Sequence, residues 1–90
     1  MNDSEFAVKL TRAATKEIAS YGGKIRHQVD GRLEGPRTTP RPHDARPIRG
    51  RRATYRIDVG EYRVLYEVDN ESRQVIVWRV GHRKDVYRNL

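Results

Sequence analysis

The chain has 90 residues, the size of one domain near the low end of what a single hydrophobic core supports. Its 19 Lys and Arg outnumber 12 Asp and Glu for a net charge of +7, which points to a polyanion or an acidic protein as partner. The absence of cysteine excludes a disulfide-stapled mini-protein and a cysteine-ligated zinc site, and the lack of a long apolar run leads us to expect a cytoplasmic protein with no membrane span.

Phe6, Val8 and Leu10 alternate with Ala7 and Lys9, the period of a short strand. Thr11 is placed to cap a helix by accepting a backbone N–H. That helix is expected to run to about Tyr21, with Ala14, Ile18 and Tyr21 on one face, and to stop at Gly22-Gly23. Ile25, Val29 and Leu33 recur every four residues as the stripe of a second helix, which Gly35-Pro36 should end. Residues 35–47 hold all four prolines and read as a loop, long enough in a small domain to carry function. Ile48, flanked by arginines, is expected to begin an edge strand.

The last third of the chain has the clearest pattern. Tyr55, Ile57 and Val59 alternate with Arg56 and Asp58. After Gly60-Glu61, Tyr62, Val64, Tyr66 and Val68 alternate with Arg63, Leu65 and Glu67. This is a β-hairpin signature. A two-residue turn pairs Val59 with Tyr62, Asp58 with Arg63, Ile57 with Val64 and Arg56 with Leu65. One face of the hairpin is then apolar and should lie under the helices. The other carries Arg56, Asp58 and Arg63 and should be open. A second turn at residues 69–72 leads into Val75–Val80. The order β-α-α-β-β-β-β predicts one α+β domain over residues 1–90, an antiparallel sheet with two N-terminal helices packed on one face.

Charge is concentrated in the middle of the chain. Residues 35–56 hold seven arginines (Arg37, Arg41, Arg46, Arg49, Arg51, Arg52 and Arg56) against Asp44 alone, so +6 of the +7 lies there. Such a cluster attracts phosphate. The plainer alternative is a solvated loop kept soluble by charge.

The stretch from Tyr55 to Val68, followed by Val80-Gly81-His82-Arg83-Lys84-Asp85-Val86-Tyr87, resembles the sheet and C-terminus of the RelE family of bacterial toxins. Leu10-Thr11, Leu33 with Gly35-Pro36, and Ile48-Arg49-Gly50 also stand where that family has them. The resemblance spans Phe6 to Tyr87. It implies an endoribonuclease that cuts messenger RNA in the ribosomal A site, inhibits translation, and is silenced by a RelB-like antitoxin. In that family the substrate 2′-hydroxyl attacks the adjacent phosphate, basic residues on the sheet hold the phosphate, and a C-terminal tyrosine contacts a base. By motif position these roles fall to Arg56, Arg63, Arg83 and Tyr87. Arg49, Arg51, Arg52 and Lys84 are then expected to contact RNA or the ribosome. A ParE-like toxin of the same fold, which binds DNA gyrase and performs no chemistry, is the rival. A plain nucleic-acid-binding module is a third reading.

The chemistry of each residue supports part of this assignment. Arginine grips two phosphate oxygens with its planar fork and stays charged, so Arg63 and Arg83 suit transition-state stabilisation. Their alternative is a surface ion pair, for example with Glu67 or Asp85. Arg56 suits phosphate or solvent equally and is too basic to act as a general base. Asp58 stands where related toxins often carry a second Lys or Arg. A carboxylate beside two arginines gives little drive to take a proton, which favours a cross-strand pair that positions Arg63 over a general base. His82 can exchange a proton near neutral pH, but its parity with Ile76, Trp78 and Val80 points it away from the arginines. Tyr87 is suited to stack on a base. Tyr55, Tyr62, Tyr66 and Trp78 read as packing, with Trp78 alone able to reach outward. His27 and His43 have no partner at metal-ligand spacing, so neither a metal nor a cofactor is expected. The lack of a strong acid–base pair motivates the expectation that the ribosome supplies orientation.

Overall fold

The computed structural model describes residues 6–38, 40 and 45–88. The elements are β1 (Ala7–Leu10), α1 (Arg12–Ser20), α2 (Gly23–Thr38), β2 (Arg46–Pro47), β3 (Thr54–Val59), β4 (Tyr62–Asp69) and β5 (Gln74–His82). The sheet order is β1-β5-β4-β3-β2. Among the described residues no helix is long and apolar enough to cross a membrane.

Thr11 caps α1 as its position suggests. Its hydroxyl oxygen accepts from the Ala14 N–H at 3.2 Å. Gly22 takes φ +88° after the helix ends, the left-handed turn that glycine adopts without a Cβ penalty. Ala14 and Ile18 from α1, with Val29 and Leu33 from α2, are buried. They pack on Ile57, Val59, Val64, Tyr66, Val68, Val75, Val77 and Val80 of the sheet.

The hairpin register matches the sequence reading at all four pairs: Val59↔Tyr62, Asp58↔Arg63, Ile57↔Val64 and Arg56↔Leu65. Gly60 has φ +58° at the first central position of the turn, where a type II′ hairpin calls for glycine.

Several expectations need correction. The sheet is mixed rather than wholly antiparallel, because β1 pairs in parallel with β5 while the remaining pairs are antiparallel. Period-2 alternation is the same for either direction, so the sequence carried no signal for it. α2 does not end at Gly35-Pro36 but runs through Pro36 to Thr38. Proline removes one helical hydrogen bond, but Pro36 is fully buried and the Phe6 N–H donates to the Arg37 carbonyl at 2.8 Å, so tertiary contacts hold the final turn. The proposed loop is therefore helical at its start, and its Arg41, His43 and Asp44 lie outside the described residues. The edge strand falls on Arg46–Pro47, just before Ile48. Proline is tolerated there because an edge strand has a side without ladder bonds.

The last strand is broken in register between Leu65 and Tyr66: Leu65 faces Arg79, whereas Tyr66 faces Val77. A bulge of this kind sets two residues against one and re-aims side chains. Val75, Val77 and Val80 all reach the core, so the parity that linked Ile76 and Trp78 to Val80 fails. His82 nonetheless stays on the helix side, with its ring 5.7 Å from that of Tyr62.

Candidate functional site

The sheet face opposite the helices carries the polar constellation. It is not wholly open. Leu65 is 0% exposed and Val86 1%, and neither belongs to the main core cluster. The turn after β5 folds back over this face and packs Val86 on Gly81. Gly81, opposite Arg63 in the register, leaves the space: a Cβ there would stand 3.3 Å from Val86 Cβ and Cγ2. The Asp85 and Val86 N–H groups donate to the His82 carbonyl at 2.8 and 2.9 Å, which closes the turn.

This turn brings Tyr87 to Arg56. The Arg56 Nη1 donates to the Tyr87 hydroxyl at 2.8 Å. That hydrogen bond is the main reason the Arg56 guanidinium is held above its usual basicity, against the opposing effect of burial, with a further contribution from Asp58. Arg56 Nε is buried without a hydrogen bond and lies 3.8 Å from Asp58 Oδ1. The same Oδ1 lies 3.1 Å from Arg63 Nε. Asp58 therefore joins the two arginines and favours Arg63. The pair that the register predicted is present.

Arg63 also donates through Nη1 to the Gly60 and Tyr62 carbonyls, each at 3.1 Å. Its Nη2 makes no hydrogen bond among the described residues. Arg83 Nε lies 2.8 Å from Glu61 Oε2, and its backbone N–H donates to the Glu61 carbonyl at 2.8 Å. Thus Arg63 and Arg83 are both drawn to the Gly60-Glu61 turn, held by adjacent residues. Neither takes the partner considered from sequence: Glu67 is not joined to Arg63, and Asp85 pairs with Arg88.

A cleft of about 430 Å³ lies beside this cluster, lined by Arg46, Pro47, Ile48, Arg49, Arg56 and Tyr87. It joins two residues chosen from motif position, Arg56 and Tyr87, to Arg49 of the basic cluster. Arg46 belongs to the same arginine cluster; its position opposite Arg56 follows from a two-residue strand too short to read in sequence. Arg51 and Arg52 are exposed just beyond it, and Lys84 is exposed on the C-terminal turn. His82 accepts the Lys84 N–H through Nδ1 at 3.2 Å, which suits a structural histidine. Among the described residues no three His, Asp or Glu side chains are grouped to hold a metal ion.

Such an arrangement can grip a phosphate by guanidinium forks and stack a planar group beside it. Among the described residues, no histidine or lysine side chain makes a hydrogen bond or ion pair with Arg56, Asp58 or Arg63, as a general base at the cluster would.

Comparison with known proteins agrees with the fold. Residues 8–87 match the family profile described as ParE toxin of type II toxin-antitoxin system, parDE. Toxin RelG of Mycobacterium tuberculosis is 30% identical over 84 residues, covering 92% of this chain and 97% of the relative. The intact RelBE toxin-antitoxin complex of E. coli contains a chain that is 28% identical with a TM-score of 0.77, covering 86% of this chain and 95% of that one. An arginine-to-alanine double variant of E. coli RelE, bound to a peptide of the antitoxin RelB, superimposes with a TM-score of 0.79 at 26% identity, covering 96% and 99% of the two chains. A profile match over nearly the whole chain, relatives of the same length and a shared fold lead to one conclusion: this chain is a toxin of a type II toxin–antitoxin system and belongs to the RelE family within the RelE/ParE superfamily.

Proposed function

We propose that the toxin is a ribosome-dependent endoribonuclease that cleaves messenger RNA in the A site and so inhibits translation. The observation that carries this reading is the chain of contacts Tyr87–Arg56–Asp58–Arg63 on one sheet face, with Arg83 anchored at the adjoining turn. In the proposed reaction the 2′-hydroxyl gives up its proton as its oxygen attacks the neighbouring phosphorus, and the bond to the 5′ oxygen breaks as that oxygen takes up a proton, leaving a 2′,3′-cyclic phosphate and a 5′-hydroxyl. Arg63 and Arg83 neutralise the charge that builds on the phosphoryl oxygens, where a preorganised donor is worth on the order of a hundredfold in rate. Arg56 holds the phosphate from the cleft side and Tyr87 stacks on a base. Asp58 positions Arg63. Arg49, Arg51, Arg52 and Lys84 contact RNA or ribosome. Among the described residues the face shows no strong acid–base pair, so in this reading the ribosome supplies the attack geometry, and orientation alone can account for several kcal/mol of barrier.

The partner that silences it is a RelB-like antitoxin, in line with the complexes that the E. coli relatives form. An acidic, partly disordered segment suits a surface with this excess of arginine.

The test is cleavage of ribosome-bound message by wild type, Arg63→Ala, Arg83→Ala, Tyr87→Phe and Asp58→Ala in parallel. Loss of at least a hundredfold in the two arginine variants is expected. Equal cleavage of free RNA would remove the ribosome from the proposal. The description of the matched profile as ParE favours one rival, inhibition of DNA gyrase without chemistry. Mapping messenger RNA ends after induced expression separates them: codon-positioned cuts support the nuclease, and DNA damage with intact messages supports the gyrase inhibitor.

A further inference from the structure

The bulge in β5 has a consequence far from Arg63. Unbroken alternation would send Trp78 into the core with Val80. The register shift at Leu65/Tyr66 instead leaves Trp78 outside the core cluster and outside the set of side chains packed against it. Its ring meets Arg51, whose guanidinium carbon lies 4.8 Å from the ring centroid. Arg51 comes from the far side of the sheet, across β4, and a tight turn fixes it there. The Arg51 N–H donates to the Ile48 carbonyl at 3.2 Å, and Gly50 between them has φ +82°, as the third position of a type II turn requires. The chain then rejoins the sheet through the Val68 N–H to the Ala53 carbonyl at 2.9 Å.

We propose that Arg51 and Trp78 form a second stacking site for a base of single-stranded RNA, on the face that carries Arg56 and Arg63. The inference rests on the reading that this toxin acts on RNA. Two physical features favour that occupant. First, a planar cation backed by an aromatic ring is suited to stack a base and to neutralise its phosphate. Second, Arg49, Arg51 and Arg52 are exposed and have no carboxylate partner among the described residues, whereas Arg56, Arg63, Arg79 and Arg83 each have one. The uncompensated charge flanks Arg51 in the chain, so a phosphate backbone is drawn there. The strand would then be held at two points, by Tyr87 at one and by the Arg51–Trp78 pair at the other.

Trp78 is the chain's single tryptophan, so its fluorescence reports this site alone. The probe is a short single-stranded RNA bearing 2′-O-methyl groups, which the proposed reaction cannot cut. Wild type should show saturable quenching. Trp78→Leu, followed by anisotropy of a labelled probe, should bind roughly tenfold more weakly, the scale of one lost base stack. Arg51→Lys keeps the charge and the tryptophan but not the plane, and should weaken both binding and quenching. A probe that binds wild type without changing its emission, or binds all three proteins equally, overturns the site. So does a probe that fails to bind wild type. Wild type that quenches but leaves ribosome-bound message intact removes the nuclease reading and keeps the stacking site. Full cleavage with unchanged RNA affinity in Trp78→Leu removes the stacking site and keeps the nuclease.

Discussion

Val86→Ala tests whether a small apolar contact sets the position of the tyrosine. Val86 is buried at 1% exposure against Gly81, apart from the main core. The substitution deletes two buried methyl groups, about 1.6 kcal/mol at about 0.8 kcal/mol each, before any cavity contribution. That is roughly a 15-fold change in an equilibrium, and in a domain of this size it lowers Tm by about 6–13 °C. The loss falls first on the C-terminal turn, whose other ties are a few hydrogen bonds and exposed ion pairs. Amide exchange at the Val86 and Arg88 N–H groups should therefore quicken by about the same 15-fold factor. Cleavage should fall as well, because Tyr87 and its hydrogen bond to Arg56 ride on that turn. A variant whose Tm and exchange rates match wild type would show that the turn is not pinned by Val86. Slower cleavage with unchanged exchange would place the effect elsewhere.

Three other outcomes are expected. Tyr87→Phe keeps the ring but removes the acceptor for Arg56 Nη1; Tm should stay within about 1–2 °C, as for an exposed site, while ribosomal cleavage drops by roughly tenfold, the scale of one hydrogen bond to a charged group. Glu17→Ala removes the carboxylate that accepts the Val80 N–H at 2.8 Å and lies 3.7 Å from Arg79. A loss of about 1–2 kcal/mol in urea melts is expected, with Glu17→Gln retaining most of it because its amide oxygen can still accept. Asp69 Oδ1 accepts the Glu71 and Ser72 N–H groups at 3.1 Å each, and the bonds to Ser72, foremost its backbone N–H, hold the carboxyl below its ordinary 3.8. The folded chain then binds fewer protons than the unfolded chain in acid, so this stabilisation is present above pH 3.8 and lost as pH falls through the folded value. Thermal melts of Asp69→Asn should show a shallower loss in that window than wild type, and parallel curves would refute it.

The parts of this fold that were legible in sequence are those set by local rules. The Thr11 cap, the α1 and α2 stripes and the whole β3–β4 register follow from spacing and from a glycine at the turn. The Asp58–Arg63 pair came with that register, since residues opposite each other on one face must meet. What was not legible depends on non-local packing. The parallel pairing of β1 with β5 leaves alternation unchanged, and the bulge that turns Trp78 outward is a shift of one residue between strands. The passage of α2 through Pro36 depends on burial of the proline ring. Tyr87 and Arg56 lie 31 residues apart, and the turn that carries Tyr87 packs Val86 closely on Gly81, where a Cβ would stand 3.3 Å away. Resemblance placed both residues in the site; only the fold supplied the bond between them.

The distribution of carboxylates over the arginines suggests a division of work under the proposed reading. At the strand cluster, Arg56, Arg63 and Arg83 face Asp58 and Glu61, so three cations against two anions leave a single positive charge. That is a weak source of long-range attraction. The turn from Arg46 to Arg52 has four arginines with no such partner among the described residues, and it supplies the attraction that salt would screen. The strand pairs add little to stability, because exposed ion pairs are worth about 0–1 kcal/mol. Their consequence is orientation. The Arg63 side chain is 14% exposed and that of Asp58 52%, so the cation is fixed within the sheet while its anion stands in solvent. An arriving phosphate can displace Asp58 into water at small cost and find the guanidinium already in place. Under the proposed reading, Asp58 thus keeps the Arg63 guanidinium aimed until a phosphate takes the place of the carboxylate.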